Sequence, residues 1–419
     1  MWKLFYWAFA FSLCVLMGCK DDGVRVEVVR YAINEPVFMS ISEFRNSVKV
    51  TDEVVPITKR GKICFYKGYL YISSPDKGIH IVDNRNPASP RIGFVELIGN
   101  EDLSIKDDKL YADSYVDLVW FDISDPERPE LEGRVENAFR YALPTIENGY
   151  GFDYNMCYSE EARAKGVVVG WEPKEREETI YHYPSYGGDL MANDAAPGTS
   201  TQGVNGSMAR FSIYGKYLYT VEQNIMCVFD LSGDKPVLTT NDIWLQRDVE
   251  TLFNYKDKMF MGTPTGMLIY SLEDPLAPKY RSSVSHVFGC DPVVVEDDLA
   301  YVTVHSGNTC GQNTNELMLI DVSDVDQPNL LVTYGMKCPK GLGIDNGTLF
   351  LCDEGLKVFN AKDPMTLLAN QLVHYAGMEG YDVIPFRNTL MMIADDGLYQ
   401  YDYSNLQAIS QLSKLPMGE

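Results

Sequence analysis

From residue 61 onward the chain alternates short apolar runs with polar turns, and the alternation repeats. The first unit reads Lys62-Ile-Cys-Phe-Tyr, Tyr69-Leu-Tyr-Ile and Gly78-Ile-His-Ile-Val-Asp83. The second reads Leu103-Ser-Ile, Lys109-Leu-Tyr-Ala and Asp117-Leu-Val-Trp-Phe-Asp122. Runs of four to six apolar or β-branched residues between turns predict strands. Later units centre on Tyr217-Leu-Tyr219, Lys258-Met-Phe260, Leu299-Ala-Tyr301, Thr348-Leu-Phe350 and Thr389-Leu-Met391. Seven units result.

Two anchors fix the period. Tyr71, Tyr111, Tyr219, Phe260, Tyr301, Phe350 and Met391 are spaced by 40, 108, 41, 41, 49 and 41 residues. Asp83, Asp122, Asp230, Ser271, Asp321, Asn360 and Asp402 are spaced by 39, 108, 41, 50, 39 and 42. The long interval is one period plus an insertion, residues 140–206. The stretch near 49 is a loop enlarged around Asn308 to Asn315. After the third strand comes Asn86-Pro87, Asp125-Pro126, Asp274-Pro275 or Asp363-Pro364, with looser versions at Pro236 and Pro328 and none in the seventh unit. Asp or Asn folds back on its own backbone there, and Pro cannot extend a ladder. A fourth strand follows, as in Arg91-Ile-Gly-Phe-Val-Glu-Leu-Ile98. Four strands per 40-residue unit is the size of a propeller blade, and a lone blade cannot bury both faces. The expected fold is all-β, a seven-bladed β-propeller over residues 61–415. Six or eight blades are the alternatives, because Val37 to Val50 could add strands.

Ile79-His-Ile-Val-Asp83, Leu118-Val-Trp-Phe-Asp122 and Leu317-Met-Leu-Ile-Asp321 resemble the LVIVD repeat. The resemblance is best in units one, two and five; Tyr270-Ser271 and Phe359-Asn360 depart from it. It implies a bacterial secreted or lipid-anchored propeller. It implies no reaction and no catalytic residues.

Residues 1–18 read as a signal peptide: Lys3, then an apolar stretch from Leu4 to Met17 too short to span a bilayer. Leu16-Met17-Gly18-Cys19 resembles a bacterial lipobox, which implies cleavage before Cys19 and its lipidation. Lys20-Asp21-Asp22 resembles the surface-export signal of Bacteroidota lipoproteins. The expected address is the outer membrane, facing the cell surface, with the periplasmic side as the alternative. Residues 19–60 would then be tether and an N-terminal strand segment.

Charge narrows the partners. Against 36 Lys and Arg stand 59 Asp and Glu, a net charge of −23. Such a chain repels phosphate backbones, so no nucleic-acid partner is expected. The sequence holds no phosphate-binding Gly-Lys loop, no His-Glu-x-x-His and no Gly-x-Ser-x-Gly elbow. No cofactor and no metal are expected.

Three groups are candidate sites. The repeat register collects Asp102, Asp113, Asp117, Asp248, Glu250, Asp291, Asp353, Asp382 and Asp395 on one face of the ring. A carboxylate ring can take Ca²⁺; a solvated rim on an acidic protein is the preferred expectation. The insertion enters on that face with Tyr150, Tyr154, Tyr158, Trp171, Tyr181, Tyr183 and Tyr186. Trp171, Tyr181, Tyr183 and Tyr186 are its candidate binding aromatics, with packing of a cap as the plainer alternative. Val167 to Trp171 reads as a strand, Lys174 to Glu178 as a charged turn, and Asn193 to Gly206 as a connector. Finally, His286, Cys290, His305 and Cys310 lie in unit five. A Cys290–Cys310 disulfide is preferred over free thiols, zinc and a Cys-His nucleophile, in that order, with Cys338 a rival partner. Cys64 and Cys227 read as buried hydrophobes.

The leading functional expectation is a non-enzymatic, lipid-anchored surface propeller that binds a protein or a glycan through its insertion-bearing face. A carbohydrate-active hydrolase or lyase using carboxylates at the channel mouth is one alternative. A structural part of an outer-membrane assembly is another, and it predicts an apolar patch on the side or bottom of the ring.

Overall fold

The computed structural model describes residues 25–51, 55–57, 61–75, 77–146, 148–182, 210–285, 292–305 and 314–416. Seven antiparallel sheets follow one another along the chain, each built on a meander of four consecutive strands, and the first carries a fifth, edge strand. Blade 1 runs from Ile63–Tyr66 to Arg91–Glu96, and blade 2 from Leu103–Lys106 to Glu130–Val135. Blade 3 runs from Phe211–Tyr214 to Val237–Trp244, and blade 4 from Thr251–Tyr255 to Lys279–Ser285. Blades 5, 6 and 7 open at Val293–Glu296, Leu342–Asp345 and Gly380–Phe386. The fold is the seven-bladed propeller that the period of 41 predicts.

The second and third strands of each blade sit between neighbouring blades, so both faces are covered. Tyr69–Ser74 and Gly266–Ser271 are buried along their whole length. This is why the sequence there reads as unbroken apolar runs rather than alternation. The outer strands are half solvated. Seven clusters seal the seven blade junctions. The last packs Ile63, Leu70, Ile72 and Val82 of blade 1 on Tyr381, Met391, Ile393 and Leu398 of blade 7. That junction exchanges no strand, since blades 1 and 7 each take their four from one continuous segment. Buried there, the Gln400 side-chain amide donates to Asn84 Oδ1 at 2.6 Å.

The polar anchor of the repeat has a local cause. At the end of every third strand a side-chain oxygen accepts the backbone N–H two residues on. Asp83, Asp122, Asp230, Ser271, Asp321, Asn360 and Asp402 all do this, at 2.7 to 3.3 Å. A second such turn follows at Asn86, Asp125, Asp274, Asp324, Asp363 and Asn405. Asn405 therefore performs in blade 7 what the Asp-Pro pairs perform elsewhere, without the proline. Two-residue hairpins join first and second strands, and both central residues have positive φ at Lys67-Gly68, Asp107-Asp108, Asp297-Asp298, Asn346-Gly347 and Arg387-Asn388. Asn346-Gly-Thr348, a glycosylation sequon by spelling, is one of these turns.

The N-terminal segment adds no blade. Lys49–Thr51 pairs with Glu96, Val95 and Phe94 on the outer edge of blade 1. Arg25–Met39 pairs instead with Val167–His182 of the insertion, from Arg25↔His182 to Met39↔Val167. Two short helices, Tyr154–Tyr158 and Glu160–Lys165, precede that insertion strand. Lys174 to Glu178, expected as a turn, lies inside the strand opposite Val29 to Ile33. A two-stranded ribbon wet on both faces has no apolar alternation to betray it, which is why its charges read as a turn.

Candidate functional site

Counted back from the hairpin turns, one position opens the inner strand of every blade at the channel mouth. It holds Lys62, Asp102, Arg210, Thr251, Pro292, Gly341 and Asp382 in ring order. From blade 7 to blade 3 the charges alternate: Asp382, Lys62, Asp102, Arg210. Asp102 is buried and joins three blades. Its Oδ1 is 3.0 Å from Lys62 Nζ and accepts the Leu103 N–H at 2.7 Å. Its Oδ2 accepts the N–H groups of Arg210 and Phe211. Lys62 Nζ also donates to the Phe211 carbonyl at 2.7 Å. The Arg210 guanidinium reaches back to Glu101. Burial pushes the Asp102 carboxyl up, opposed by Lys62.

The other rim acids fasten loops. Asp113 Oδ1 accepts the N–H groups of Glu101 at 2.7 Å and Asp102 at 3.0 Å, and the Asn100 amide at 3.0 Å. Burial raises its pKa well above the usual carboxylate range. Asp117 accepts from Arg45 Nε at 2.9 Å, Arg134 at 2.9 Å and the Asn137 N–H at 2.8 Å. Asp353 accepts the N–H groups of Lys337 and Cys338 and, at 2.6 Å, the Lys357 ammonium. Asp395 accepts the Glu379 N–H at 3.1 Å, and Asp382 that of Val383 at 2.7 Å. Glu250 is half-buried beside Thr251, and Asp248 is exposed. Asp291 lies outside the described residues.

The expectation of a solvated rim fits Asp248 and Asp395, which are exposed, and is corrected for the acids that the fold buries. Asp102, Asp117, Asp353 and Asp382 are buried. Loops between blades carry backbone N–H groups with no ladder partner, and a buried N–H must be satisfied. These carboxylates do that. Lys62 and Arg210 escaped the sequence reading, although they occupy the same register position as Asp102 and Asp382.

At the root of the insertion, Phe139, Arg140, Tyr141, Thr220, Glu222 and Asp242 line a cavity of about 10 Å³, room for one water. Glu222 accepts the Tyr141 N–H at 3.3 Å. Burial raises its pKa to about 7, against the pull of that N–H and of Arg210. Arg140 pairs with Asp242 at 3.0 Å. Sequence reading passed over Glu222, which stands in an apolar strand with no motif around it.

The insertion's aromatics divide. The Trp171 indole donates to the Pro144 carbonyl at 2.8 Å and packs 5.1 Å from Phe152. Tyr158 donates to the Tyr141 carbonyl and packs edge-on against the Tyr141 ring and tilted against the Tyr154 ring. Trp171 is thus part of the insertion's packing. Tyr150 and Tyr154 remain 43% and 57% exposed. Tyr181 pairs with Val26 in the ribbon. Tyr183, Tyr186, Cys19, Lys20, Asp21, Asp22, His286, Cys290 and Cys310 lie outside the described residues.

Cys64, Cys157, Cys227, Cys338 and Cys352 are free thiols. Burial raises Cys64, Cys157 and Cys227 to about 11, which makes them poor nucleophiles. Among the described residues no group of three His, Cys, Asp or Glu side chains is placed to hold a metal, and no helix is long and apolar enough to cross a membrane.

The LVIVD repeat matches residues 61–94, 101–137 and 291–335, which are blades 1, 2 and 5. No curated protein matches. Among solved structures, the crystal structure of the computationally designed Ika8 protein aligns over 87% of this chain and 90% of its own, at 11% identity and a TM-score of 0.49.

Proposed function

We propose that this chain is a non-catalytic, lipid-anchored propeller that captures a protein or glycan partner on its insertion-bearing face. The observation that carries the reading is the insertion itself. It stands on blade 2, is pinned by the N-terminal segment, and leaves Tyr150 and Tyr154 open on a rigid base. Aromatic rings held this way bind at low entropic cost, by stacking on sugars or anchoring a protein. The hydrolase alternative has less support, because Asp102, Asp113, Asp117 and Asp353 already serve backbone N–H groups and cations. Anchoring rests on the lipobox at Leu16 to Cys19, and surface exposure on Lys20-Asp21-Asp22. The test is a glycan array and a pull-down from envelope extract with the Cys19→Ser chain. Binding should be lost in the Tyr150→Ala/Tyr154→Ala variant; undiminished binding by that variant rejects this face.

A second reading, a part in an envelope assembly, has its own observation. Leu330 and Leu331 of blade 5 are exposed beside Met365, Leu368 and Leu372 of blade 6. The two segments are tied by Tyr334, whose hydroxyl donates to the Pro364 carbonyl at 2.8 Å. They lie at the end of the ring opposite the insertion. A pull-down that survives the tyrosine variant and fails with Leu331→Asp/Leu368→Asp favours this reading.

A further inference from the structure

Among the described residues, the ribbon of Arg25–Met39 and Val167–His182 is held to the body from its base outward and not at its far end. At its base Met39, Val167 and Val169 pack with Phe44, Tyr115 and Val116 over blade 2. Gly166 turns the chain there with φ of 128°, and a Cβ on it would meet the Met39 carbonyl oxygen at 2.0 Å. Asn34 is the next fixture. It is fully buried, its N–H donates to the Gly151 carbonyl at 2.8 Å, and its amide exchanges hydrogen bonds with Asn148 at 2.8 and 2.9 Å. Beyond Asn34 the pairing continues in register to Arg25↔His182, while Arg30 and Glu177 form their ion pair at 77% and 57% exposure. Arg176, opposite Tyr31, makes the last fixture among the described residues, its guanidinium donating to Met156 Sδ at 3.2 Å; six residues of paired strand, Arg25 to Arg30, extend past it, a reach of about 20 Å at about 3.3 Å per residue. Pro36 and Pro173, and the charged run Lys174 to Glu178, blunt the ribbon's edges against further strands.

We propose that this ribbon is a stalk: it joins the tether to the propeller at its far end and holds the binding face off the membrane. The proposal rests on the anchoring reading, because Cys19 stands six residues before Arg25. Both strands are bolted to the body, so the ribbon escapes the weakness of a free two-stranded hairpin. Tether and insertion then leave the propeller as one piece.

The experiment uses the mature chain on a supported bilayer, held by a hexahistidine tag in place of Cys19 on nickel-chelating lipid. Neutron reflectometry reads the distance from headgroups to the propeller layer. Removing residues 25–30 and 177–182 deletes six facing pairs and should lower the propeller by about 20 Å. Duplicating residues 27–30 and 177–180 should raise it by about 13 Å. Near-ultraviolet circular dichroism identifies a variant whose propeller has failed to fold, and the other variant then decides. Heights that ignore ribbon length overturn the stalk. The mass of the native N-terminal peptide tests lipidation separately, so an unlipidated Cys19 overturns the anchoring reading without touching the ribbon result.

Discussion

Lowering the pH from about 7 to about 4.5 sets two buried groups against each other. His80 lies in the third strand of blade 1 with its ring 4.7 Å from Phe94, fully buried, and among the described residues neither ring nitrogen has a hydrogen-bond partner. Burial, with a smaller push from Lys77, lowers its pKa from 6.5 to about 4. The unfolded chain therefore takes up a proton near pH 6.5 that the fold refuses until about 4. Stability falls as pH falls through that window. At about 1.4 kcal/mol per pKa unit, the loss by pH 4.5 is about 2.5 kcal/mol. Glu222 works with the opposite sign. Its folded pKa is about 7 against an unfolded 4.5, so its contribution is complete below the lower value and lost as pH rises through the upper one. Over the same interval it returns about 2.5 kcal/mol. Asp102 and Asp113, also raised by burial, share its sign. The quantity to measure is a difference between proteins, which cancels everything common to them. Urea melts followed by tryptophan fluorescence supply it. Relative to the parent, His80→Phe should gain about 2.5 kcal/mol between pH 7 and 4.5, and Glu222→Gln should lose about as much. A His80→Phe chain whose pH slope equals the parent's refutes the buried neutral imidazole; a parallel Glu222→Gln slope refutes the protonated carboxyl.

Three further outcomes follow from the packing. Asp117→Ala takes the carboxylate from Arg134, whose side chain is 13% exposed, and leaves Arg45 with Glu136 alone; the loss should be about 3 kcal/mol, the lower end for a broken buried pair, and limited proteolysis should cut the N-terminal segment first. Gly133→Ala forces a Cβ to 2.5 Å from the Trp120 ring, so the melting midpoint should drop by the equivalent of roughly 1–3 kcal/mol. Gln400→Leu leaves Asn84 Oδ1 unsatisfied at the closing junction, a loss of about 1–3 kcal/mol, whereas Asn84→Leu/Gln400→Leu should recover most of it; a double variant no better than the single one denies the pair its role.

What the sequence made legible follows from which contacts repeat. The blade pattern was readable because each copy must bury the same two central strands and cap the third strand with the same side-chain turn. Asp122-Ile-Ser124, Asp230-Leu-Ser232, Asp321-Val-Ser323 and Asp402-Tyr-Ser404 keep the cap even where the flanking proline is lost. In three of these the serine hydroxyl and then its N–H hold Asp230, Asp321 and Asp402 below the usual carboxylate range, and at Asp122 the Ser124 N–H leads. The candidate site has no such redundancy. Asp102 was found by register, but its burial depends on Lys62 from the preceding blade and Arg210 from the blade beyond the insertion, partners 40 and 108 residues away. The ribbon was misread for the same reason: Lys174 to Glu178 become strand only because Val29 to Ile33, far upstream, lie beside them. Period finds what a chain does seven times. A site, made once by residues from three blades and an insertion, has to be seen assembled.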